Sequence, residues 1–232
     1  MLFRSVLAAH GVGRGDRVAS LLENGAPQVV VFFATVRLGA VAVPVNTAYK
    51  GEFLRHQIAD SGSCVVVTQD DLADRVDAVV GADSTPEVRH VLHVEHFDTL
   101  DAEPVDDASL APSDLACFIY TAGTTGPSKG CMLSHNYIVS MAVQIGRAWQ
   151  RTADDVVWTP LPLFHLNAIS ICVVGTLVIG GSASIARKFS VSGFWPEIKR
   201  TGATMASMLG SLAILIANAD DHPETEIGRA HV

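Results

Sequence analysis

Residues Tyr120 to Gly130 read Tyr-Thr-Ala-Gly-Thr-Thr-Gly-Pro-Ser-Lys-Gly and follow directly on the apolar run Leu115 to Tyr120. Gly123, Gly126 and Gly130 allow tight turns and let backbone N–H groups come close to a bulky ligand. Thr121, Thr124 and Thr125 add hydroxyl donors, and Lys129 adds one positive charge. A polyphosphate accepts many hydrogen bonds and needs its charge neutralised, so this set of groups suits it. The spacing is not that of a Walker A loop, which places Gly-Lys-Ser/Thr after a glycine and four residues. Here Lys129 lies between Ser128 and Gly130, and the next helix-start signal is Ser134, ahead of Tyr137 to Trp149. A helix dipole is therefore not placed directly behind the loop. The stretch reads as a phosphate loop between two short extended segments.

His165 follows Pro162, Leu163 and Phe164 just past an expected strand end, where α/β folds place ligand sites. A core histidine bonded to backbone is the plainer alternative for it. His90, His93 and His96 recur at spacing three, but on a strand successive members of such a set point to opposite faces. They do not converge on one metal, and His10, His56, His135, His222 and His231 show no metal spacing either.

The elements that must carry these residues alternate. Val18–Leu22, Val41–Val45, Cys64–Thr68 and Val88–Val94 read as strands; Pro27–Leu38, Glu52–Asp60 and Asp71–Val80 read as helices. Asn24 and Pro27 mark the start of the first helix and Gly39 its end. After the loop come a helix at Ser134–Trp149, a strand at Val156–Pro160 and helices at Ala168–Ile179, Phe194–Thr201 and Leu209–Asn218. The alternation predicts an α/β fold of layered βαβ units, with helices on both faces of parallel sheets. The acidic segment 97–114 has little periodicity and two prolines, and reads as a solvated surface connection. It is the expected boundary between a first α/β subdomain, 1–112, and a loop-bearing one, 113–232.

Several stretches together resemble the AMP-forming acyl-CoA synthetases, relatives of firefly luciferase and of the adenylation domains of peptide synthetases. Tyr120–Gly130 is similar to the family's signature loop. Gly11 to Val18 resembles the lead into its first clear strand, and Phe32 to Asn46 resembles the helix and strand that follow. Thr159-Pro-Leu-Pro-Leu-Phe-His165 looks like the motif beside its acyl site, and the similarity runs from about Ala8 to Ala217. The resemblance implies ATP, Mg²⁺ and coenzyme A as cofactors and a small-molecule carboxylic acid as substrate. The acid is converted to an acyl-adenylate and then to a thioester. Lys129 and His165 are the implied catalytic residues; Thr121, Gly123, Thr124, Thr125, Gly126, Lys129 and Gly130 are the implied nucleotide-binding set. Two features depart from the family's pattern. Ala122 stands where serine is usual, and Ser128 separates Pro127 from Lys129.

The family's adenine, ribose and hinge modules and its small C-terminal domain have no counterpart after Ala217, nor its opening elements before Ser5. The chain therefore resembles the front part of the large N-terminal domain. A sheet cut midway exposes an edge and an apolar face, which implies poor solubility or self-association. An adenylation domain loading a carrier protein, and a non-catalytic nucleotide-binding or interaction module, remain the competing readings.

Composition bounds the rest. With 232 residues the chain can bury roughly 70% of its unfolded surface. Its 49% hydrophobic and 17% charged content suits an enzyme core. A net charge of −8 without a basic stripe argues against a nucleic-acid partner. Cys64, Cys117, Cys131 and Cys172 lie in or beside apolar runs, as expected of buried thiols in a reducing compartment. With no signal-peptide pattern at the N-terminus, the expected location is cytoplasmic. Leu166–Ala186 carries no charge over 21 positions, but Gly180-Gly181 divides it, and it reads as a buried helix followed by a strand, not a membrane span.

Overall fold

The computed structural model describes residues 2–99, 102–121 and 126–219. Contacts divide the chain into two compact units, 1–138 and 139–232.

The first unit is built on six strands: β1 (Arg17–Leu21), β2 (Val41–Pro44), β3 (Val65–Thr68), β4 (His90–His93), β5 (Leu115–Thr121) and β6 (Lys129–Ser134). They lie in the order β4-β3-β1-β2-β5-β6. β1 to β5 are mutually parallel, and β6 runs antiparallel to β5. Valine supplies two of the four residues of β2 and three of the four of β3, where β-branched side chains pack well on a pleated surface. β2 and β3 are buried at every position because helices cover both faces.

The period-two alternation divides the core. Val18, Val65 and Val67 point to one face, where they meet Val6 and Leu7 of α1 (Leu2–Ala9) and Val31 and Leu38 at α2 (Ala26–Arg37). Ala19, Leu21, Val43 and Val66 point to the other, against Leu54 and Ile58 of α3 (Glu52–Asp60) and Val76 of α4 (Ala73–Asp77). α2 stops where Gly39 takes a φ of +74°. α1 was not foreseen from the sequence. Its eight residues are too few for a periodic signal, and it is held by packing on α2 and Phe97.

The acidic connection lies within the first unit. Asp107 pairs with Arg37 at 2.6 Å and also with Arg4, and Asp114 pairs with Arg14 at 2.6 Å. The sequence placed a boundary at 112/113, whereas the division falls inside α5 (His135–Ala148), because β5 and β6 complete the first sheet. His96 sits on a 3₁₀ turn, Val94–Thr99, and not on the strand; its ring stacks on His93 at 5.5 Å. The alternation argument therefore does not extend to His96. Cys64, Cys117 and Cys172 are buried, but Cys131 is exposed on the edge strand β6, as is Met132 on the opposite face.

The second unit carries a parallel three-stranded sheet in the order β8-β7-β9, with β7 (Val156–Thr159), β8 (Ser182–Ile185) and β9 (Met205–Ala206). Trp158 of β7 packs edge-on against Phe194 of α7 (Phe194–Thr201), ring centres 5.2 Å apart. The helix expected at Ala168–Ile179 is a π-helix over Asn167–Val174 running into α6 (Gly175–Ile179). The Thr176 hydroxyl donates to Cys172 O, which also accepts the Gly175 N–H, and the Arg151 guanidinium donates to Ile171 O. Gly180, with φ +79°, ends α6. α8 (Gly210–Ala217) is apolar apart from Ser211 and buries none of its residues. Among the described residues no helix is long and apolar enough to cross a membrane.

Candidate functional site

The glycine- and threonine-rich segment falls between β5 and β6, which pair antiparallel. The last two ladder pairs are Tyr120 with Gly130 and Thr121 with Lys129. Lys129 is thus the first residue of β6, directly across from Thr121, and both are exposed. β5 runs parallel to β1–β4, so the loop leaves from the edge where those strands also end, the usual ligand edge of such sheets. Gly123, Thr124 and Thr125, with Ala122, lie outside the described residues. Between the loop and α5 comes all of β6, and the Ser134 hydroxyl accepts the Tyr137 N–H at 3.2 Å as that helix begins.

The two described glycines of the loop region differ. A Cβ on Gly130 would stand 3.1 Å from the Tyr120 ring, so glycine is what lets the ring lie flat across the strand pair. A Cβ on Gly126 would meet nothing within 4 Å, so no neighbouring atom of the chain requires glycine there.

Two residues that the sequence reading did not single out brace this hairpin. Tyr120 donates its hydroxyl to Asp60 Oδ2 at 2.7 Å, and burial followed by the Asp60 carboxylate pushes the phenol well above its ordinary pKa. His56 Nε2 lies 2.9 Å from the Ser128 carbonyl. Glu52, Phe53 and His56 on one side, with Gly126, Pro127 and Ser128 on the other, line a groove of about 310 Å³. The available signal was the i, i+4 spacing of His56 and Asp60, which puts both on one helix face. Sequence alone did not reveal what that face touches.

His165 belongs to the second unit, beyond the carboxyl end of β7. Its N–H closes a turn on Pro162 O at 3.0 Å, and its carbonyl accepts the Ile169 N–H at 3.4 Å, just ahead of Leu166, the N-cap of the π-helix. The ring lies 4.6 Å from that of Phe164. Although one side of the residue meets solvent, its neighbours remove enough water to lower the imidazole pKa, which favours the neutral form. A neutral imidazole can accept or donate a proton near neutral pH. Among the described residues, no group of three or more His, Cys, Asp or Glu side chains is arranged to hold a metal ion.

Comparison with known proteins gives this geometry a context. A family profile described as AMP-binding enzyme matches residues 3–231. The medium/long-chain-fatty-acid–CoA ligase FadD6 of Mycobacterium tuberculosis is 32% identical over 99% of this chain and 39% of its own length. ATP-bound MatB from Rhodopseudomonas palustris superposes with a TM-score of 0.84 at 29% identity, over 96% of this chain and 44% of that one. The o-succinylbenzoate CoA synthetase MenE of Bacillus subtilis, solved with an acyl-adenylate, gives 0.81 at 28% identity, over 96% of this chain and 57% of that one. The chain spans between 31% and 44% of the length of the curated relatives it matches. With a match across residues 3–231 and the same N-terminal-domain fold, the chain belongs to the family of AMP-binding enzymes, the AMP-forming ligases, and represents part of their N-terminal domain.

Proposed function

We propose that this chain supplies the phosphate loop and part of the acyl site of a carboxylate–CoA ligase. A carboxylate oxygen attacks the α-phosphorus of ATP, pyrophosphate leaves, and the acyl-adenylate passes its acyl group to the thiol of coenzyme A. The observation that carries the reading is Lys129 at the head of β6, paired across the ladder with Thr121 at the carboxyl edge of a parallel sheet. Chemistry of this kind depends on positioning and on charge placed where it develops, and a lysine on a fixed strand provides both. Thr121, Gly126 and Gly130 belong to the same binding set, and so do Gly123, Thr124 and Thr125. In this reading the neutral His165 lies beside the carboxylate and shapes its approach. Mg²⁺ is part of the proposal through the family, but the described residues offer no ligand set for it and no step is assigned through it. Because one relative is named for medium- and long-chain fatty acids, a fatty acid is the first substrate to try.

The test is carboxylate-dependent ATP–pyrophosphate exchange by the complete product of the gene. Exchange that requires both a carboxylic acid and Lys129 supports the reading, and exchange unchanged in Lys129→Ala removes it. A second reading, a module that binds nucleotide without turnover, is favoured by Ala122, which lacks the hydroxyl the family usually places there. That reading predicts ATP binding with no acid-dependent release of pyrophosphate. The intact mass of the native protein bears on the same choice. A mass near 24.6 kDa strengthens the module, and a much larger one the ligase.

A further inference from the structure

Helix α3 touches both arms of the hairpin that carries Lys129. Asp60 accepts the Tyr120 hydroxyl on the β5 arm at 2.7 Å, and His56, one turn earlier, meets the Ser128 carbonyl on the β6 arm at 2.9 Å. The second contact has the more direct consequence. A carbonyl oxygen only accepts, so His56 Nε2 carries the hydrogen. The Ser128 carbonyl and the Lys129 N–H belong to one planar trans peptide and point in opposite directions across it. Holding that oxygen toward α3 turns the Lys129 N–H away from α3 and fixes the direction in which the lysine side chain leaves the strand.

We propose that His56 is a positioning residue for Lys129: its Nε2–H, bonded to the Ser128 carbonyl, sets the orientation of the 128–129 peptide and so the aim of the lysine ammonium at the ATP phosphates. The proposal rests on the ligase reading given above. It adds a residue 73 positions from the lysine in sequence and outside the loop itself. α3 suits the task because its opposite face is anchored: Leu54 and Ile58 are fully buried against β1–β3, and Gln57 is buried with them. The groove between Phe53 and Pro127 leaves the His56 contact bordered by open space, so the hydrogen bond and not close packing defines the separation of helix and loop there.

The experiment compares His56→Gln, whose amide NH₂ reaches the place of Nε2, with His56→Leu, which keeps the bulk and loses the donor. In ATP–pyrophosphate exchange by the complete gene product, His56→Leu is expected to lower kcat/KM for ATP about three- to tenfold, the effect of one neutral hydrogen bond. KM for the carboxylic acid and the melting temperature should not change, and His56→Gln should recover most of the loss. Hydrogen exchange on the 232-residue chain gives a readout free of turnover: His56→Leu should speed exchange in the 126–131 segment and leave β1–β3 unchanged. Equal kinetics and equal exchange in wild type and His56→Leu would overturn the proposal, as would a Gln variant no better than Leu. Lys129→Ala in the same assay separates the two ideas. Loss of exchange in Lys129→Ala with none in His56→Leu sinks only the role of His56; no effect of Lys129→Ala sinks the ligase reading and the role of His56 with it.

Discussion

Arg17 reaches from the start of β1 to the turn that ends α3, donating to the Gly62 carbonyl at 2.7 Å from Nη2 and to the Ser61 carbonyl at 3.0 Å from Nε. Gly62 adopts a φ of +60°, and a Cβ placed on it would stand 2.6 Å from the same Nη2. One guanidinium thus closes the turn between the helix that braces the loop and the central strand of the sheet. Gly62→Ala combines a strained backbone with displacement of that guanidinium. It should cost about 1–3 kcal/mol of stability, read from the denaturant midpoint. A variant as stable as wild type would mean that the arginine moves aside freely.

Removing the ammonium of Lys129 tests the site most directly. A charge-assisted hydrogen bond contributes about 1.5–3 kcal/mol, so Lys129→Ala should reduce kcat/KM for ATP by roughly 10- to 100-fold in the complete gene product. Lys129 is exposed at the end of a ladder, and its loss should leave the melting temperature within about 2 °C of wild type, because surface changes of this kind stay within about 0.5 kcal/mol.

The four thiols should separate by reactivity. Burial pushes the Cys117 thiol up to about 12 and raises that of Cys172, and Cys64 is buried as well. Cys131 is exposed on β6, two residues past Lys129. Iodoacetamide under native conditions should label Cys131 first, and Cys131→Ser should abolish the fast phase seen by mass spectrometry. Early labelling of Cys117 would contradict the burial of β5.

Acid should weaken the fold before any carboxylate is protonated. Desolvation lowers the pKa of His135, against the opposing pull of Asp114, and desolvation lowers that of His165. Below the unfolded value of about 6.5, the unfolded chain therefore binds protons that the folded chain still refuses. Stability is complete above that pH and falls as pH drops from it toward the folded values. Urea midpoints at pH 7.5 and 5.5 should show the decline, and His135→Leu should reduce it.

Sequence reading was most informative where the signal is local. The short apolar runs of β1–β3, the glycine that ends α2 and the break at Gly180-Gly181 all act over a few residues, and each element appeared within a few positions of its expected place. β6 was legible only as an extended segment beside the loop; its antiparallel pairing with β5 is a tertiary fact. The same holds for the π-helix, where Arg151, some twenty residues earlier, donates to the Ile171 carbonyl. The loop's composition is what led to the proposed phosphate ligand. Its bracing was not legible, because His56 and Ser128 are 72 residues apart and neither is unusual in its own neighbourhood.

The ladder pair Thr121–Lys129 also bears on the entropy of binding. A lysine in the middle of a free loop must give up backbone freedom, about 1–2 kcal/mol per residue, before its charge can settle on a ligand. Lys129 gives up only the torsions of its side chain, up to roughly 2 kcal/mol, because folding has already fixed its main chain. Much of the ordering that an anion would otherwise impose at this position is completed when the hairpin forms.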